Sequence, residues 1–597
     1  MNIFSHDPGK PFTKGELTTI TNTEWLITNG LSGYASGTIA GTLTRVFHGY
    51  LIAALPSPLG RVMMLNNLLE QVRAGDSDPV TLNGLETEDG ASREPSSHLA
   101  GFHLDSGLPV WIYEIGGMTI EKRIYLPHRQ NTTYINYRVS SGSGTLKLQL
   151  RPLVNMRDHE APVSTELDTY TFSVRDHHYE LKPSNNPAGL RLMLLGREGA
   201  FAIDTQTVRD VVYCRERRRG YSWRGDLWSP GYFSADISAG SDATLVVSTE
   251  NWEVMSALAP QQACDLEHER RRRLLIEAHP NACNDVCKKL VWAADQFIFT
   301  PVGRQEDTAR ARAAGDEIRS IIAGYHWFTD WGRDTMIGLE GLTLSTGRYV
   351  EASFILRTFA HYIRDGLIPN MFPEGKKDAL YHTADATLWF FHALSRYLEY
   401  TQDKHLLKHL LPRLLDIAGH HLRGTRFNIH VDPRDGLLVQ GQEGYQLTWM
   451  DAKVDDWVVT PRRGKAVEIN ALWYNALCLL EGWLRKLDRA EEARGIAEHA
   501  VRAKESFNRR FWYEKGGYLY DVIDGENGRD DRCCRPNQLF AISLDHPILD
   551  ELRWEPVLEV VKKKLLTPVG LRSLAPGERE YKPRYDGDLR ARDAAYH

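Results

Sequence analysis

The sequence lacks several features that mark large classes of protein. Its 597 residues contain 72 Lys and Arg against 78 Asp and Glu, so no positive excess is available for a nucleic-acid backbone. The basic run at 270–273 follows Glu267 and Glu269 in a helical pattern, which favours a solvated helix face. We therefore expect no nucleic-acid partner.

Long apolar runs and a cysteine framework are missing as well. No run of roughly 18 apolar residues occurs, and the first residues, MNIFSHDPGKPF, contain no apolar signal-peptide core. The 7 cysteines are odd in number and fit neither a disulfide scaffold nor a zinc ribbon. The chain is therefore predicted to be cytoplasmic, with reduced thiols and no membrane association.

Two common hydrolase signatures are also absent. Neither Gly-x-Ser-x-Gly nor His-Glu-x-x-His occurs, so serine and zinc hydrolysis lack support. The glycine-rich run at 29–38 is not followed by Gly-Lys-Ser/Thr, which argues against a phosphate loop for nucleotides.

The chain does contain a clear change of hydrophobic period near residue 255. Before it, short strand-like segments such as TLKLQLR at 145–151 are separated by Gly, Ser, Asn and Asp clusters, which predicts an antiparallel β-sandwich. After it, apolar residues recur with the helical period, and no strand pattern alternates with them, which favours an α/α toroid. The predicted helical segments are 256–278, 284–302, 334–346, 349–365, 383–401, 404–424, 465–486, 489–511, 535–544 and 550–565.

Four loops between the predicted helices combine carboxylates with aromatic rings. They lie within 327–334, 370–385, 449–453 and 579–597. Flat rings with polar edges suit the faces of sugars, and cleavage of a glycosidic bond needs one acid and one base or nucleophile. The loops therefore indicate a glycoside hydrolase.

Each candidate acid also has a purely structural interpretation. Asp334 and Asp385 both stand where an apolar helix begins, and an aspartate there can cap free backbone N–H groups. Arg333 argues instead for a polar network that holds sugar hydroxyls. Asp451 lies far from a helix start and close to Lys453, which favours a chemical role.

Glu468 is the least clear of the candidates. It stands inside an apolar helical run, between Val467 and Ile469. It is either a buried acid that faces a ligand or a polar residue on the margin of the helix, and the sequence leaves both interpretations open.

Short motifs distributed over nearly the whole chain are specific enough to compare with known families. They are NGLSGYASGT at 29–38, R-x-F-H-G-Y-L-I at 45–52, W-G-R-D-T at 331–335, G-L-I-P-N at 366–370, T-W-M-D-A-K at 448–453, P-R-x-G-K-A-V-E-I-N-A-L-W-Y at 461–474 and R-P-N-Q at 535–538. Together they resemble the amylo-α-1,6-glucosidase family of glycogen debranching enzymes, in its short bacterial and archaeal form.

The resemblance implies a multidomain β + α architecture. It places an N-terminal β-sandwich at 1–255, a helical linker at 256–283 and an (α/α)6 barrel at 284–597. Relatives continue past the Y-H dipeptide at 596–597 into further helices. The resemblance therefore implies that the chain is truncated and that the last helices of the barrel are missing here.

The resemblance also implies an activity: inverting hydrolysis of the α-1,6-linked glucose at glycogen branch points, within glycogen degradation. Its substrate would be glycogen or limit dextrin, with no cofactor and no metal. Asp451 would then be the general acid, and the terminal glucose would be held by Trp331, Arg333 and Asp334. The further residues expected to bind substrate are Asp385, Trp449, Lys453 and His597.

The catalytic base is less well indicated. Glu468 is the first candidate and Glu580, in a polar loop, is the second, unless the base lies beyond His597. Two other functions also remain open: a glucoamylase- or trehalase-like α-glucosidase, because linkage preference depends on the shape of further subsites, and a non-catalytic α-glucan-binding protein. Nothing in the sequence indicates the oligomeric state.

Overall fold

The computed structural model of the chain describes residues 2–88, 94–184, 187–278, 284–376 and 378–596. These residues form two compact units. The first, called here the β-rich unit, comprises residues 1–317, 324–328 and 374–377. The second, called the helical unit, comprises residues 318–323, 329–373 and 378–597.

Antiparallel sheets make up most of the β-rich unit. In spatial order, the nine-stranded sheet contains Asn2–Ser5, Leu99–Asp105, Leu108–Ile115, Met118–Tyr125, Thr132–Ser141, Ala243–Ser248, Leu190–Leu195, His178–Pro183 and Tyr170–Arg175. One five-stranded sheet contains Arg197–Val212, Arg224–Ser238, Thr145–Leu153, Asn67–Ala74 and Val80–Thr81. The other contains Arg157–Asp158, Gly60–Leu65, Gly49–Leu55, Tyr34–Thr38 and Glu24–Thr28.

The alternating pattern of the sequence accounts for the core of this unit. In the strand Thr145–Leu153, Leu146 and Leu148 are buried whereas Lys147 is exposed, as a strand period of two requires. Leu148, Ile120 and Leu51 come from three different sheets and belong to one buried cluster. The predicted antiparallel β-region is therefore confirmed.

The β-rich unit also contains helices, which precede, interrupt or follow the strands in sequence. They are α1 (Lys14–Asn22), α2 (Cys214–Arg218), α3 (Trp252–Ser256), α4 (Pro260–Glu277), α5 (Asp285–Phe297) and α6 (Gln305–Ala313). The basic run lies on α4, where Arg272 and Arg273 are exposed, as predicted. Arg271 differs, because it is buried and pairs with Glu267 at 2.8 Å.

The helical unit contains nine of the described α-helices, from 4 to 21 residues long. They are α7 (Gly332–Leu342), α8 (Tyr349–His361), α9 (Ala386–Thr401), α10 (Lys404–Arg423), α11 (Val467–Lys486), α12 (Ala490–Arg510), α13 (Phe540–Ser543), α14 (Trp554–Lys564) and α15 (Leu589–Asp593). Short 3-10 turns occur at Leu344–Thr346, Arg426–Asn428, Glu526–Gly528, Pro536–Leu539 and Glu551–Arg553. The short strands between the helices include His430–Val431, Leu438–Val439, Lys453–Val454, Trp457–Val458, Lys465–Ala466, Trp512–Tyr513, Tyr518–Leu519, Val522–Ile523, Leu566–Thr567 and Gly570–Leu571.

Two of these helices form the centre of the unit. α9 packs against α7, α8, α10 and α11, and α11 also packs against α12 and α13. Both central helices are buried around most of their circumference, and the buried residues of α11 include Leu472, Trp473 and Leu480. α12 buries only a stripe that includes Ile496 and Phe507, which is typical of a peripheral helix.

The compact units divide the chain differently from the predicted segments. α5 and α6 belong to the β-rich unit, although the predicted barrel begins at residue 284. The grouping into compact units does not identify the helices of a barrel. The predicted domain boundaries therefore remain a prediction. Among the described residues, no helix is both long enough and apolar enough to cross a bilayer.

Candidate active site

The W-G-R-D and G-L-I-P-N motifs meet at the first turn of α7. The backbone N–H of Gly332 donates to the carbonyl oxygen of Asn370 at 2.7 Å. A Cβ atom on Gly332 would lie 2.0 Å from the carbonyl oxygen of Pro369, so only glycine permits this close approach. The two motifs together therefore fix the point at which Arg333 leaves the helix.

Arg333 is the centre of a cluster of charged side chains. Its Nε donates to the two carboxylate oxygens of Asp385 at 2.9 and 2.8 Å, and its Nη1 donates to Oδ2 of Asp451 at 2.8 Å. Its Nη2 is buried and has no hydrogen-bond partner among the described residues. Because charge-assisted bonds are short and directional, one guanidinium group positions two acids from different loops.

Asp385 takes part in this cluster and does not cap its helix by its side chain. It occupies the position before α9, but its side chain makes no capping hydrogen bond. The backbone N–H of Ala386 donates to the Thr383 hydroxyl at 3.3 Å, and that hydroxyl donates to Asp385 at 2.9 Å. The capping interpretation of Asp385 is therefore wrong, and its buried carboxylate serves Arg333.

Asp451 is more accessible to solvent than Asp385. It lies in an irregular loop before the strand Lys453–Val454, and its side chain is 25% exposed against 1% for Asp385. Burial raises the pKa of the Asp451 carboxyl above its usual range, although the positive charge of Arg333 opposes the shift. A carboxyl group that keeps its proton to higher pH than usual can donate that proton to a ligand.

Asp334 is the third carboxylate near Arg333. It stands in the first turn of α7 and is exposed, while the position before the helix is occupied by Trp331, whose side chain makes no cap. Asp334 is therefore not the N-cap residue of α7, and its binding of substrate remains a prediction. Its charge acts on the same group as Asp385, since both lie within electrostatic range of Arg333.

The predicted aromatic residues lie on the loops that carry these acids. Trp331 is half-buried, and its backbone pairs with Met371 of the loop that follows G-L-I-P-N. Trp449 is half-buried two residues before Asp451, and its indole N–H donates to Oδ1 of Asn537 at 2.8 Å. Both rings are therefore held by the scaffold and only partly covered by it.

Lys453 is placed less favourably than the sequence suggests. It is exposed, and its ammonium group donates to the carbonyl oxygen of Gly444 at 3.0 Å. The pKa of the His382 ring is lowered, first by burial and then by the positive charges of Arg333 and Lys453. Binding of substrate by Lys453 remains a prediction.

The first loop divides between the two units. Trp327 belongs to the β-rich unit, where Arg61 donates to the flanking carbonyl oxygens of His326 and Phe328 at 2.9 and 2.8 Å. Asp330 belongs to the helical unit, is buried, and accepts from the Ser320 hydroxyl at 2.6 Å. Trp327 and Asp330, three residues apart in one segment, therefore have different surroundings.

Glu468 does not join the Arg333 cluster, and its role as the base remains a prediction that its surroundings do not favour. It is 1% exposed in the first turn of α11. Both of its carboxylate oxygens accept from the guanidinium group of Arg462, one of them at 2.6 Å. At 1% exposure, the carboxylate is shielded from the solvent water that a base would activate, and both of its oxygens are directed at Arg462.

The last predicted loop contributes one residue near the cluster. Tyr596 is 47% exposed. Its pKa is raised, first by burial and then by the negative charge of Asp451. Glu580 is on the surface, with 72% of its side chain exposed. His597, a predicted substrate contact, lies outside the described residues.

Some residues of the site were missed by sequence reasoning. Thr383 stands two residues before Asp385, a spacing at which a hydroxyl often bonds to a neighbouring side chain or cap. Arg462 precedes Glu468 by six residues in the same motif, so a buried ion pair could have been considered. Asn537 gave no comparable signal, because its contact with Trp449 joins segments far apart in sequence.

A second acidic cluster in the helical unit already contains a cation of the protein. Asp432, Asp435 and Asp524 bring carboxylate oxygens within 4.8 Å of one another, as ligands of a metal ion would be. The ammonium group of Lys465 donates to all three, at 2.9, 2.7 and 2.7 Å. We therefore assign these acids to the fold.

The Arg333 cluster combines what a polyhydroxylated ligand requires. Arg333 offers an unused N–H group, Asp334 offers an exposed acceptor, and Trp331 and Trp449 offer partly exposed rings. Asp451 adds a carboxyl group whose raised pKa suits proton donation.

Comparisons with known proteins cover both units. A family model described as amylo-alpha-1,6-glucosidase matches residues 292–597, and one described as the N terminal of glycogen debranching enzyme matches residues 23–244. The glycogen debranching enzyme of Saccharomyces cerevisiae is 24% identical over 363 residues, which is 46% of this chain but only 23% of the yeast protein. The crystal structure of a bacterial glucoamylase complexed with acarbose covers 98% of this chain and 85% of its own, with 13% identity and a TM-score of 0.51, and it shows the fold alone.

Proposed function

Because the chain belongs to the glycogen debranching enzyme family with an amylo-alpha-1,6-glucosidase domain, we propose that it hydrolyses α-1,6-linked glucose from glycogen or limit dextrin. The proposal includes an (α/α)6 barrel around the central helices α9 and α11. It also includes inversion at the anomeric carbon, in which an acid protonates the leaving oxygen while a second carboxylate takes a proton from the water molecule that attacks from the opposite face.

The observation that carries the proposal is the contact of Asp451 with Arg333. The Asp451 carboxyl is the partly exposed acid of the cluster, and burial raises its pKa. Its role in the proposal is to donate a proton to the glycosidic oxygen as the C–O bond breaks. Arg333 keeps the carboxyl in place and acts to lower its pKa, but burial has the larger effect, so the pKa of Asp451 is still raised.

The remaining residues of the cluster are assigned to the terminal glucose. In this proposal the unused N–H of Arg333 and the exposed carboxylate of Asp334 bind sugar hydroxyls, and Trp331 covers one face of the ring. Asp385 acts indirectly, as the anchor of Arg333. Glu468 is not part of the proposed chemistry, since Arg462 engages both of its oxygens.

Release of glucose from a panel of substrates tests the proposal. A limit dextrin whose branches have been trimmed to single α-1,6-linked glucose units should be hydrolysed faster than maltose, trehalose or isomaltose at equal concentration. The Asp451→Asn variant is the matched control for contaminating glucosidases. Preference for maltose would indicate a glucoamylase-like activity, and binding of limit dextrin without release of glucose would indicate a glucan-binding protein.

A further inference from the structure

A chain of hydrogen bonds connects Trp449 to the interior of the helical unit. The indole N–H of Trp449 donates to Oδ1 of Asn537 at 2.8 Å, and Nδ2 of Asn537 donates to Oδ1 of Asp521 at 2.8 Å. Asn537 is 1% exposed and lies in the 3-10 turn Pro536–Leu539. A buried amide therefore joins the ring beside Asp451 to a buried carboxylate.

The far end of this chain is rigid. Asp521 accepts from Nε of Arg462 at 2.6 Å and from its Nη2 at 2.9 Å, while the same guanidinium group engages Glu468. These three side chains are almost completely excluded from solvent. Because each ion is held by more than one charge-assisted bond, Asp521 gives Asn537 a fixed point of attachment.

The chemistry of Asp521 determines how the Asn537 amide is oriented. A paired carboxylate only accepts hydrogen bonds, so the NH2 end of the amide must face Asp521 and the C=O end must face Trp449. The indole N–H can only donate, which agrees with this orientation. The Trp449–Asn537–Asp521 arrangement therefore has a single satisfied state, and that state fixes the position of the indole N–H.

We propose that Asn537 is a positioning residue that sets the plane of the Trp449 ring as a platform for the glucan next to Asp451. This proposal rests on the proposed function, because the platform is assigned to the α-glucan substrate. It gives the R-P-N-Q motif and the ion pairs of the P-R-x-G-K-A-V-E motif one common task. They support the loop that carries the proposed acid, and they do not contact substrate themselves.

Three variants test whether Asn537 acts through Trp449. Trp449→Phe keeps an aromatic ring but removes the indole N–H, Asn537→Leu removes both hydrogen bonds of the amide, and the third variant combines them. We expect each single change to raise KM for limit dextrin about tenfold with a smaller change in kcat, because a ring that binds ground state and transition state alike affects KM. We expect the double variant to match either single variant, because both changes break the same contact.

A matched control separates positioning from stability. Asn508, on α12, also bridges two backbone groups, because its Nδ2 donates to the carbonyl oxygen of Ile548 and its Oδ1 accepts from the N–H of Asp550. Neither contact involves Trp449, Asn537 or Asp521. Asn508→Leu should lower the melting temperature and leave KM unchanged. If Asn537→Leu behaves like Asn508→Leu, or if the effects of the single variants simply multiply in the double variant, Asn537 is only structural and the proposal is wrong.

A second measurement does not depend on activity. The chain has 15 tryptophans, and in protein labelled with 5-fluorotryptophan the 19F resonance of Trp449 is the one that Trp449→Phe removes. We expect Asn537→Leu to shift or broaden that resonance while Asn508→Leu leaves it in place. An unchanged Trp449 resonance in Asn537→Leu would contradict the positioning role even in an inactive protein. If the wild type has no glucosidase activity but Asn537→Leu still shifts the Trp449 resonance, the proposed function is wrong and the positioning role of Asn537 stands.

Should Asn537→Leu fail to fold, Trp449→Phe remains decisive. That variant leaves the bond between Asn537 and Asp521 intact and removes only the indole N–H from the chain. A KM for limit dextrin equal to that of the wild type in Trp449→Phe would show that the hydrogen bond does not position the ring for substrate.

Discussion

At the scale of single residues, the properties of the site follow from how the charge of one arginine is shared. Arg333 meets the buried Asp385 with one side of its guanidinium group and the partly exposed Asp451 with another. The deeper acid holds the arginine in place, and the shallower acid keeps a raised pKa because burial outweighs the attraction to the cation. Position and protonation are thus provided by different carboxylates.

The raised pKa of Asp451 gives a pH-dependent prediction. A proton donor works only while protonated, so activity should decline as pH rises through the folded-state pKa of Asp451, which lies above that of an ordinary aspartate. The stability contributed by the protonated carboxyl is complete below its unfolded pKa and is lost as pH rises through the folded pKa. Asp451→Asn should therefore lose about 10²–10⁴-fold in kcat, while its melting temperature at neutral pH is not below that of the wild type.

The pH profile of kcat and the melting curves of both proteins check this prediction. Asp456→Asn is a suitable control, because Asp456 is an exposed loop acid five residues further along. Equal activity of Asp451→Asn and wild type would remove Asp451 from the mechanism. A large fall in melting temperature with unchanged activity per folded molecule would show that Asp451 is only a partner of Arg333.

The contacts of Arg333 show which part of the site could be predicted from the sequence. Its neighbour Asp334 and the acids Asp385 and Asp451 were all recognisable as candidates from their residue type and surroundings. Their mutual arrangement was not, because Arg333 is 52 residues from Asp385 and 118 from Asp451. Contacts over such separations depend on the packing of whole helices, which no local pattern reports.

At the scale of elements, the prediction of helices succeeded because burial is periodic. The pattern at 404–424 became Lys404–Arg423 and that at 349–365 became Tyr349–His361. α6 was missed, and it has no buried residue at all, so no apolar period could reveal it. The closure of the helices into a ring is a property of their packing and remains a proposal.

The beginning of α11 gives a prediction for an element. Glu468→Gln keeps the shape of the side chain but removes one of the two buried carboxylates that pair with Arg462, while Asp521 keeps the guanidinium group paired. The expected cost is that of lost hydrogen bonds between charged groups, about 1.5–3 kcal/mol. The melting temperature should fall clearly, and kcat/KM per folded molecule should change little. Differential scanning calorimetry together with kinetics on limit dextrin measures both quantities.

A control for this prediction lies on the same helix. Glu481→Gln removes the pair of Glu481 with the exposed Arg485, and such surface pairs contribute about 0–1 kcal/mol. Its melting temperature should hardly change. If Glu468→Gln instead melts like the wild type and loses about 10²–10⁴-fold in kcat, Glu468 is a catalytic acid or base after all.

At the scale of the whole molecule, both units are matched by models of one family, and each unit shows the class of structure that its sequence pattern predicts. The β-rich unit follows from alternation and the helical unit from the helical period. What the period could not supply is the chemistry, which depends on a few long-range contacts around Arg333. We propose that the residues around Arg333 catalyse the removal of α-1,6-linked glucose.

Proton NMR of a limit dextrin digest tests that claim most directly. The anomeric signal of α-1,6-linked glucose and the signals of both anomers of free glucose can be followed in one sample, with wild type and Asp451→Asn compared side by side. We predict that the α-1,6 signal falls with wild-type protein, that β-glucose appears before α-glucose, and that Asp451→Asn leaves the spectrum nearly unchanged. A constant α-1,6 signal with the wild type, or equal glucose release by both proteins, would contradict the account.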